Sequence, residues 1–182
     1  MTNKNDFSEE FPRPGSVLFN FNSQDEASKK KTLNRWKKMN KYLVIPIYRV
    51  KLLPLLGFGK IILLLKTKGW KTGKARRTPL EYRRYEDDTI IFAARGENAT
   101  WIKNIHTYPN DVKVTIGFHT FKPRIEFVSE LSQKLKIIQW YIATYAKAAR
   151  MLFGWDPEND NLETSNFEKL VDLLTMVLLH ED

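Results

Sequence analysis

The run Gly69-Trp70-Lys71-Thr72-Gly73-Lys74-Ala75-Arg76-Arg77-Thr78-Pro79-Leu80 lies between two strand-like segments. Upstream are the branched aliphatics Ile61 to Leu65, and downstream is Leu80 to Tyr85. The run therefore reads as a basic turn between two strands. Gly69 and Gly73 allow a sharp bend and a close backbone approach to a ligand. Lys71 and Arg76 are suited to phosphate or carboxylate oxygens. From Lys60 to Leu80 there is no Asp or Glu, so the turn suggests an anion seat; a solvated surface turn is the plain alternative. It is not a P-loop: Gly69 and Gly73 are too close in sequence, and Ala75 stands where a magnesium-binding hydroxyl is required. No Gly-x-Gly-x-x-Gly fingerprint follows a strand, which argues against a Rossmann site.

Working outward, Thr89–Ala94 reads as a third strand after a tight turn at Asp87-Asp88. Thr100 is placed to cap a short helix that ends before Pro109. Val112, Val114, Ile116 and Phe118 alternate with polar residues, as do Phe121, Ile125 and Phe127, giving two half-buried strands with a turn near His119-Thr120. Lys29 to Tyr48 has helical spacing, with Leu33, Trp36, Met39, Asn40 and Leu43 near one face. Leu131, Leu135, Ile138, Ile142, Tyr145 and Ala149 step as another helix, capped by Ser129. Ser165 to Glu168 has capping-box spacing ahead of a third, with Phe167, Leu170, Val171, Leu174, Val177 and Leu178 as its apolar stripe. So wide a stripe needs cover from this fold or from a second subunit, which makes a homodimer an expectation. Residues 1–30 look weakly structured, although Phe11, Leu18, Phe19 and Phe21 are available to dock. The class is α+β, a small antiparallel sheet with an inserted helix and helices at both ends.

The turn resembles the signature of the deazaflavin-dependent nitroreductase family, which often reads Thr-x-Gly-Arg-Lys-Ser-Gly-x-x-Arg-x-x-Pro-Leu. Thr67, Gly69, Lys71, Thr72, Gly73, Arg76, Pro79 and Leu80 match, whereas Trp70 replaces the usual Arg. Phe92-Ala93-Ala94-Arg95-Gly96 resembles the family's strand-end Ala-Ser-Lys-Gly. Trp101-Ile102-Lys103-Asn104-Ile105 through Pro109 resembles its Trp-x-x-Asn-Leu followed by Asn-Pro, with Tyr108 where Asn is usual. The likeness runs from about Met39 to about Arg150.

The resemblance implies a split β-barrel and an oxidoreductase using the deazaflavin coenzyme F(420), with hydride transfer to a small acceptor such as a nitro compound, quinone, enone or unsaturated lipid. It assigns Lys71, Thr72, Gly73 and Arg76 to the coenzyme's acidic tail, and Ala93, Ala94 and Arg95 to the ring edge. Thr78, Pro79 and Trp101 become pocket wall. Tyr141 and Tyr145 become substrate-side residues, with Tyr145 a candidate proton source and no general acid assigned. Packing alone gives blander readings: Trp101 as core, Asn104 as a satisfied structural polar residue, and the two tyrosines as helix-interface residues. The expected organisation is a flexible segment at 1–28, the barrel domain at 29–155 and a helical extension at 156–182.

Composition bounds the alternatives. The chain has 182 residues, enough for one core, and carries a formal charge of +9, which favours anionic partners. It has no cysteine, so thiol nucleophiles and cysteine-ligated metals are excluded, and a reducing cytoplasm is the expected setting. His106, His119 and His180 share no metal-ligand spacing. Tyr42 to Leu65 is the most apolar stretch, but its prolines and cations exclude a spanning helix, which needs about 20 nearly uncharged residues. A broken helix packed on the core is the ordinary reading, and peripheral contact of 42–60 with an anionic membrane is the alternative. FMN or another planar ligand held without turnover, and a basic nucleic-acid-binding module, are the competing functions.

Overall fold

The structure is a computed structural model that describes residues 10–49 and 61–181. Residues 50–60, most of the stretch considered for membrane contact, lie outside the described residues. Seven strands, β1 (Ile62–Lys68), β2 (Ala75–Tyr85), β3 (Asp88–Ala93), β4 (Lys113–Ile116), β5 (His119–Phe121), β6 (Arg124–Phe127) and β7 (Thr175–His180), form one antiparallel sheet in the order β5-β4-β1-β2-β3-β7-β6. β2 changes partner along its length. Ala75 to Glu81 pair with β1, and Tyr82 to Tyr85 pair with β3. The hand-over divides the sheet into two leaves that share β2, which is the split-barrel α+β arrangement the sequence implies.

One face of the sheet is apolar because inward residues recur at every second position. Leu63 and Leu65 of β1, Tyr82 of β2, Ile91 and Ala93 of β3, and Val177 and Leu179 of β7 share a core with Trp101, Ile102 and Ile105. Those last three lie on α4 (Thr100–Thr107), the inserted helix between β3 and β4. Each fully buried Leu or Ile contributes about 1.5–3 kcal/mol, so this face dominates the stability of the sheet.

Several expectations shift on inspection. The segment Phe167–Leu178 is not one helix. α7 (Glu168–Leu173) ends where Leu174 turns extended, and Thr175–His180 enters the sheet between β3 and β6. Both faces of β7 are covered, so its apolar run is continuous, and such a run fits a helical or an extended period equally well. Val177 and Leu178 are therefore covered by this chain, and the stripe that suggested a second subunit is gone. Phe121 and Ile125 belong to two strands at opposite edges of the sheet, with Pro123 between them, a residue that cannot donate to a ladder. The β2–β3 turn is Glu86-Asp87, with Asp88 already in β3. The β4–β5 turn is Gly117-Phe118, with His119 and Thr120 paired to Ile116 and Thr115. Lys29–Tyr48 is helical as expected, but as α2 (Glu26–Met39), a π-helical turn (Asn40–Val44) and α3 (Ile45–Arg49). His180, unremarkable in sequence, clasps three strands: its Nδ1 lies 2.7 Å from Asp88 Oδ1 on β3, and its Nε2 lies 3.1 Å from Glu126 Oε2 on β6.

The chain divides into two compact units. One contains Lys30–Phe127 with Thr175–Asp182, and the other Met1–Lys29 with Val128–Leu174. In the second unit, residues expected to be weakly structured are ordered by packing. Phe11 is fully buried, with its ring centroid 5.1 Å from Phe167 and 5.7 Å from Trp155. Arg13 makes a two-pronged ion pair with Asp160, at 2.7 and 2.6 Å, a geometry stronger than a single contact. Leu18 and Phe21 of α1 (Val17–Asn22) are buried as well. α5 (Leu131–Thr144) and α6 (Ala146–Phe153) are separate helices, broken at Tyr145, and neither α5 nor α7 begins on the expected serine cap: Glu130 and Phe167 occupy those positions. Replacing Phe11 with Ala should cost about 3–5 kcal/mol, the usual loss for a buried Phe. A urea-denaturation series would check this, and a loss below about 1 kcal/mol would mean that the N-terminal segment is not part of the core.

Candidate functional site

β1 and β2 are joined by a turn that closes around Gly69. Its N–H donates to the Lys74 carbonyl at 2.9 Å, and its own carbonyl accepts from Thr72 N and Gly73 N at 3.1 and 2.7 Å. A Cβ on Gly69 would sit 3.1 Å from Thr72 Oγ1, 3.2 Å from Lys74 O and 3.3 Å from Arg76 Nε. Gly73 has φ +64°, a conformation that costs a side-chain-bearing residue free energy. Both glycines are thus required by geometry.

The closure brings Thr72, Gly73 and Arg76 together. Arg76 Nη2 lies 3.5 Å from Thr72 Oγ1. Lys71, Lys74, Arg76 and Arg77 are all exposed, and among the described residues none pairs with a carboxylate. Trp70, standing where the resemblance predicts Arg, carries charge in another way. Its ring has Lys71 Nζ at 4.7 Å and Lys103 Nζ at 5.8 Å, within cation–π range.

Asn104 fixes this turn to the sheet. It is 2 % exposed; its Oδ1 accepts from Trp70 N at 3.0 Å, and its Nδ2 donates to Thr67 Oγ1 at 2.9 Å. Asn104 is a satisfied polar residue, as its burial demands, but it does more than fill a core. One side chain on α4 holds the end of β1, at Thr67, and Trp70 of the turn.

The pairing registers show which site residues share a face. Arg76 pairs with Thr67, Thr78 with Leu65 and Leu80 with Leu63, so Arg76 and Thr78 lie on the core face beneath α4. Pro79 pairs with Leu64 and Arg77 with Lys66, on the opposite face. Thr78 and Pro79 therefore do not wall the same pocket, since neighbours on a strand point to opposite sides. Trp101 is 7 % exposed and packs in the core.

Beyond Tyr82 and Ile91 the β2–β3 ladder stops. Were it to continue, Ala93 would face Leu80 and Arg95 would face Thr78. Instead β2 turns to β1, and β3 keeps only β7, to which Ala93 pairs through Thr175. On its β2 side the ladder of β3 thus ends at Ile91, while Phe92 and Ala93 stay paired with Met176 and Thr175 of β7. Ala94 is exposed and Arg95 half-buried in the turn that follows. Thr100 does not cap α4; Ala99 holds that position, without a side-chain hydrogen bond. At the point of the fork, burial pushes the Tyr82 phenol above its ordinary pKa, partly offset by Arg84 and Arg83.

Tyr141 and Tyr145 belong to the other unit. Tyr141 is 2 % exposed and packs against Tyr145 and Phe153, at centroid distances of 5.3 and 5.8 Å. It is a core residue there, which removes the expectation of an open substrate-side phenol. Tyr145 is half-buried at the break between α5 and α6.

Solved structures with a similar chain course include an F(420)-H(2) dependent reductase (FDR-A), at 18% identity and TM-score 0.44, covering 66% of this chain and 95% of that one. A NimC/NimA family protein from Clostridium acetobutylicum is similar at 11% identity and TM-score 0.41, covering 68% and 75%. A FAD-binding protein from Mesorhizobium loti is similar at 14% and 0.42, covering 67% and 81%. No curated protein sequence matches the chain. The model of the F(420)H(2)-dependent quinone reductase family matches residues 52–148, more than half of the chain, including the basic turn, the fork and α4. The chain belongs to that family of deazaflavin-dependent oxidoreductases, whose cofactor is coenzyme F(420).

Proposed function

We propose that this chain reduces a quinone-type acceptor with F(420)H(2), and that the coenzyme lies along the fork between β2 and β3 with its acidic tail on the Gly69–Arg76 turn. The observation that carries the reading is the fork itself: the β2–β3 ladder ends at Tyr82 and Ile91, and the part of β2 that pairs with β1 begins at a turn whose exposed cations have no carboxylate partner among the described residues.

The residues present fit such a group. Its tail is acidic, and Lys71 and Arg76 offer charge-assisted donors while the Thr72 hydroxyl and Gly73 backbone lie beside them. Its ring is planar, and Ala93 and Ala94 leave main-chain amides open to a flat edge, with Arg95 next to them to offset negative charge on it. Thr78 shares the core face with Arg76 and lines the β2 side of the fork, with Trp101 backing the core beneath. When bound in its reduced form, the coenzyme supplies the hydride, and the acceptor takes up a proton to complete its reduction. The chain's own work is to orient, to hold charge and to exclude water. Quinone is favoured over nitro compounds, enones and unsaturated lipids by the description of the family.

Replacing both Lys71 and Arg76 with Ala should weaken coenzyme binding by at least about 100-fold, since hydrogen bonds to charged groups contribute roughly 1.5–3 kcal/mol each. Fluorescence titration measures this, and an unchanged Kd in a folded variant would contradict the tail assignment. Asn104→Leu keeps the volume but cannot accept from Trp70 N, and should raise Kd by about tenfold through loss of loop position. In the Lys71→Ala/Arg76→Ala background that effect should shrink to within about twofold, the signature of coupled sites. An equal loss in both backgrounds would make Asn104 a matter of stability alone. Steady-state assays with a quinone and a nitroaromatic acceptor test the acceptor class. A larger kcat/KM for the quinone is expected, and the reverse order would overturn that part of the reading.

A further inference from the structure

From Ala27 to Leu80 the chain has no Asp or Glu. Two features within that span and beside it are not used by the coenzyme site. The first runs from α2 into the π-helical turn. Trp36, Met39, Tyr42 and Leu43 are 43%, 48%, 69% and 54% exposed. Trp36, Met39 and Leu43 stand at helical spacing along one stripe. Lys30, Lys31, Lys37, Lys38 and Lys41 are exposed around it. No residue of α2 is buried. A soluble helix packs such a stripe against its own core, so an exposed one points outward to a partner.

The second feature is on the sheet. Lys66 pairs with Arg77 across β1–β2 and with Lys113 across β1–β4. Directly opposed residues share a face, so three cations stand in a transverse row. All three are exposed, and among the described residues none pairs with a carboxylate. Like charges directly opposed destabilise a sheet, and an external anion would relieve that. The row lies on the face opposite the core, the face on which Leu64 is nonetheless buried. The π-helical turn and α3 pack against β2 in the same unit.

We propose that α2, the π-helical turn and the Arg77–Lys66–Lys113 row form a docking surface for an anionic lipid bilayer. The charge answers the lipid headgroups, and the apolar stripe distinguishes a bilayer from a soluble polyanion or a nucleic acid, which would leave it in water. Trp and Tyr favour the interfacial layer, and Lys stems extend along apolar surface with their ammonium groups in water. Among the described residues no helix is long and apolar enough to cross a membrane, so contact is at the surface. The inference does not depend on the coenzyme reading: α2, the π-helical turn, Lys66 and Lys113 lie outside the fork and its turn, and the variants below leave Arg77, next to that turn, in place.

The test is co-sedimentation of the full chain, without coenzyme, with vesicles of phosphatidylcholine and of phosphatidylcholine containing roughly one third phosphatidylglycerol. Binding to the anionic vesicles at least about tenfold tighter than to the neutral ones, and weakened by salt, is expected. Tyr42→Ser/Leu43→Ser and Lys66→Glu/Lys113→Glu should each weaken it by about tenfold or more, with far-UV circular dichroism unchanged. Lys37→Glu/Lys38→Glu, at positions with open surroundings, should do the same if either of the first two variants fails to fold. Absence of vesicle binding overturns the proposal. So does equal binding to neutral vesicles, full binding by all folded variants, or binding to duplex DNA or RNA in place of vesicles.

Discussion

The constraint on which the molecule depends is the change of partner along β2. An eleven-residue strand pairs with β1 for its first part and with β3 for its last. A strand cannot do this without parting from each neighbour somewhere. Past the parting, β3 continues through Phe92 and Ala93 with β7 as its strand neighbour and no longer runs along β2. At this place the chain supplies alanines, a turn and an arginine, rather than a covering strand. The fold and the proposed site are therefore two consequences of the same register.

Charge and rigidity act together beside that fork. Exposed cations alone contribute little, because long side chains lose entropy when fixed and water screens them. The Gly69 turn reduces that cost by closing on its own carbonyl, and Asn104 reduces it further by gripping Trp70 N from α4. The core face that anchors α4 thus extends its order into a loop that would otherwise be mobile. Preorganisation of this kind is what distinguishes a site from a basic surface.

Much of this was legible in the chain. The apolar runs Leu63–Leu65 and Ile90–Ala93 and the alternation in Val112–Ile116 mark strands, and the glycines at 69 and 73 mark a bend that geometry indeed requires. The three ordered motifs pointed to the family. What stayed hidden depends on contacts that no local period encodes. β7 reads as helix because a strand covered on both faces has no alternation. The links of Asn104 to Thr67, and of His180 to Asp88 and Glu126, join residues far apart in sequence. The opposition of Thr78 and Pro79 follows from strand direction alone and was available, but a motif read as a string conceals it. The burial of Phe11 depends on Trp155 and Phe167, whose proximity nothing near residue 11 announces.

The most direct test of the account is hydrogen–deuterium exchange, followed by peptide mass spectrometry, with and without reduced coenzyme F(420). Slower exchange in peptides covering both the 69–76 turn and the 92–96 end of β3 is the predicted result. Protection confined to other segments, with these two unchanged at saturating coenzyme, would contradict it.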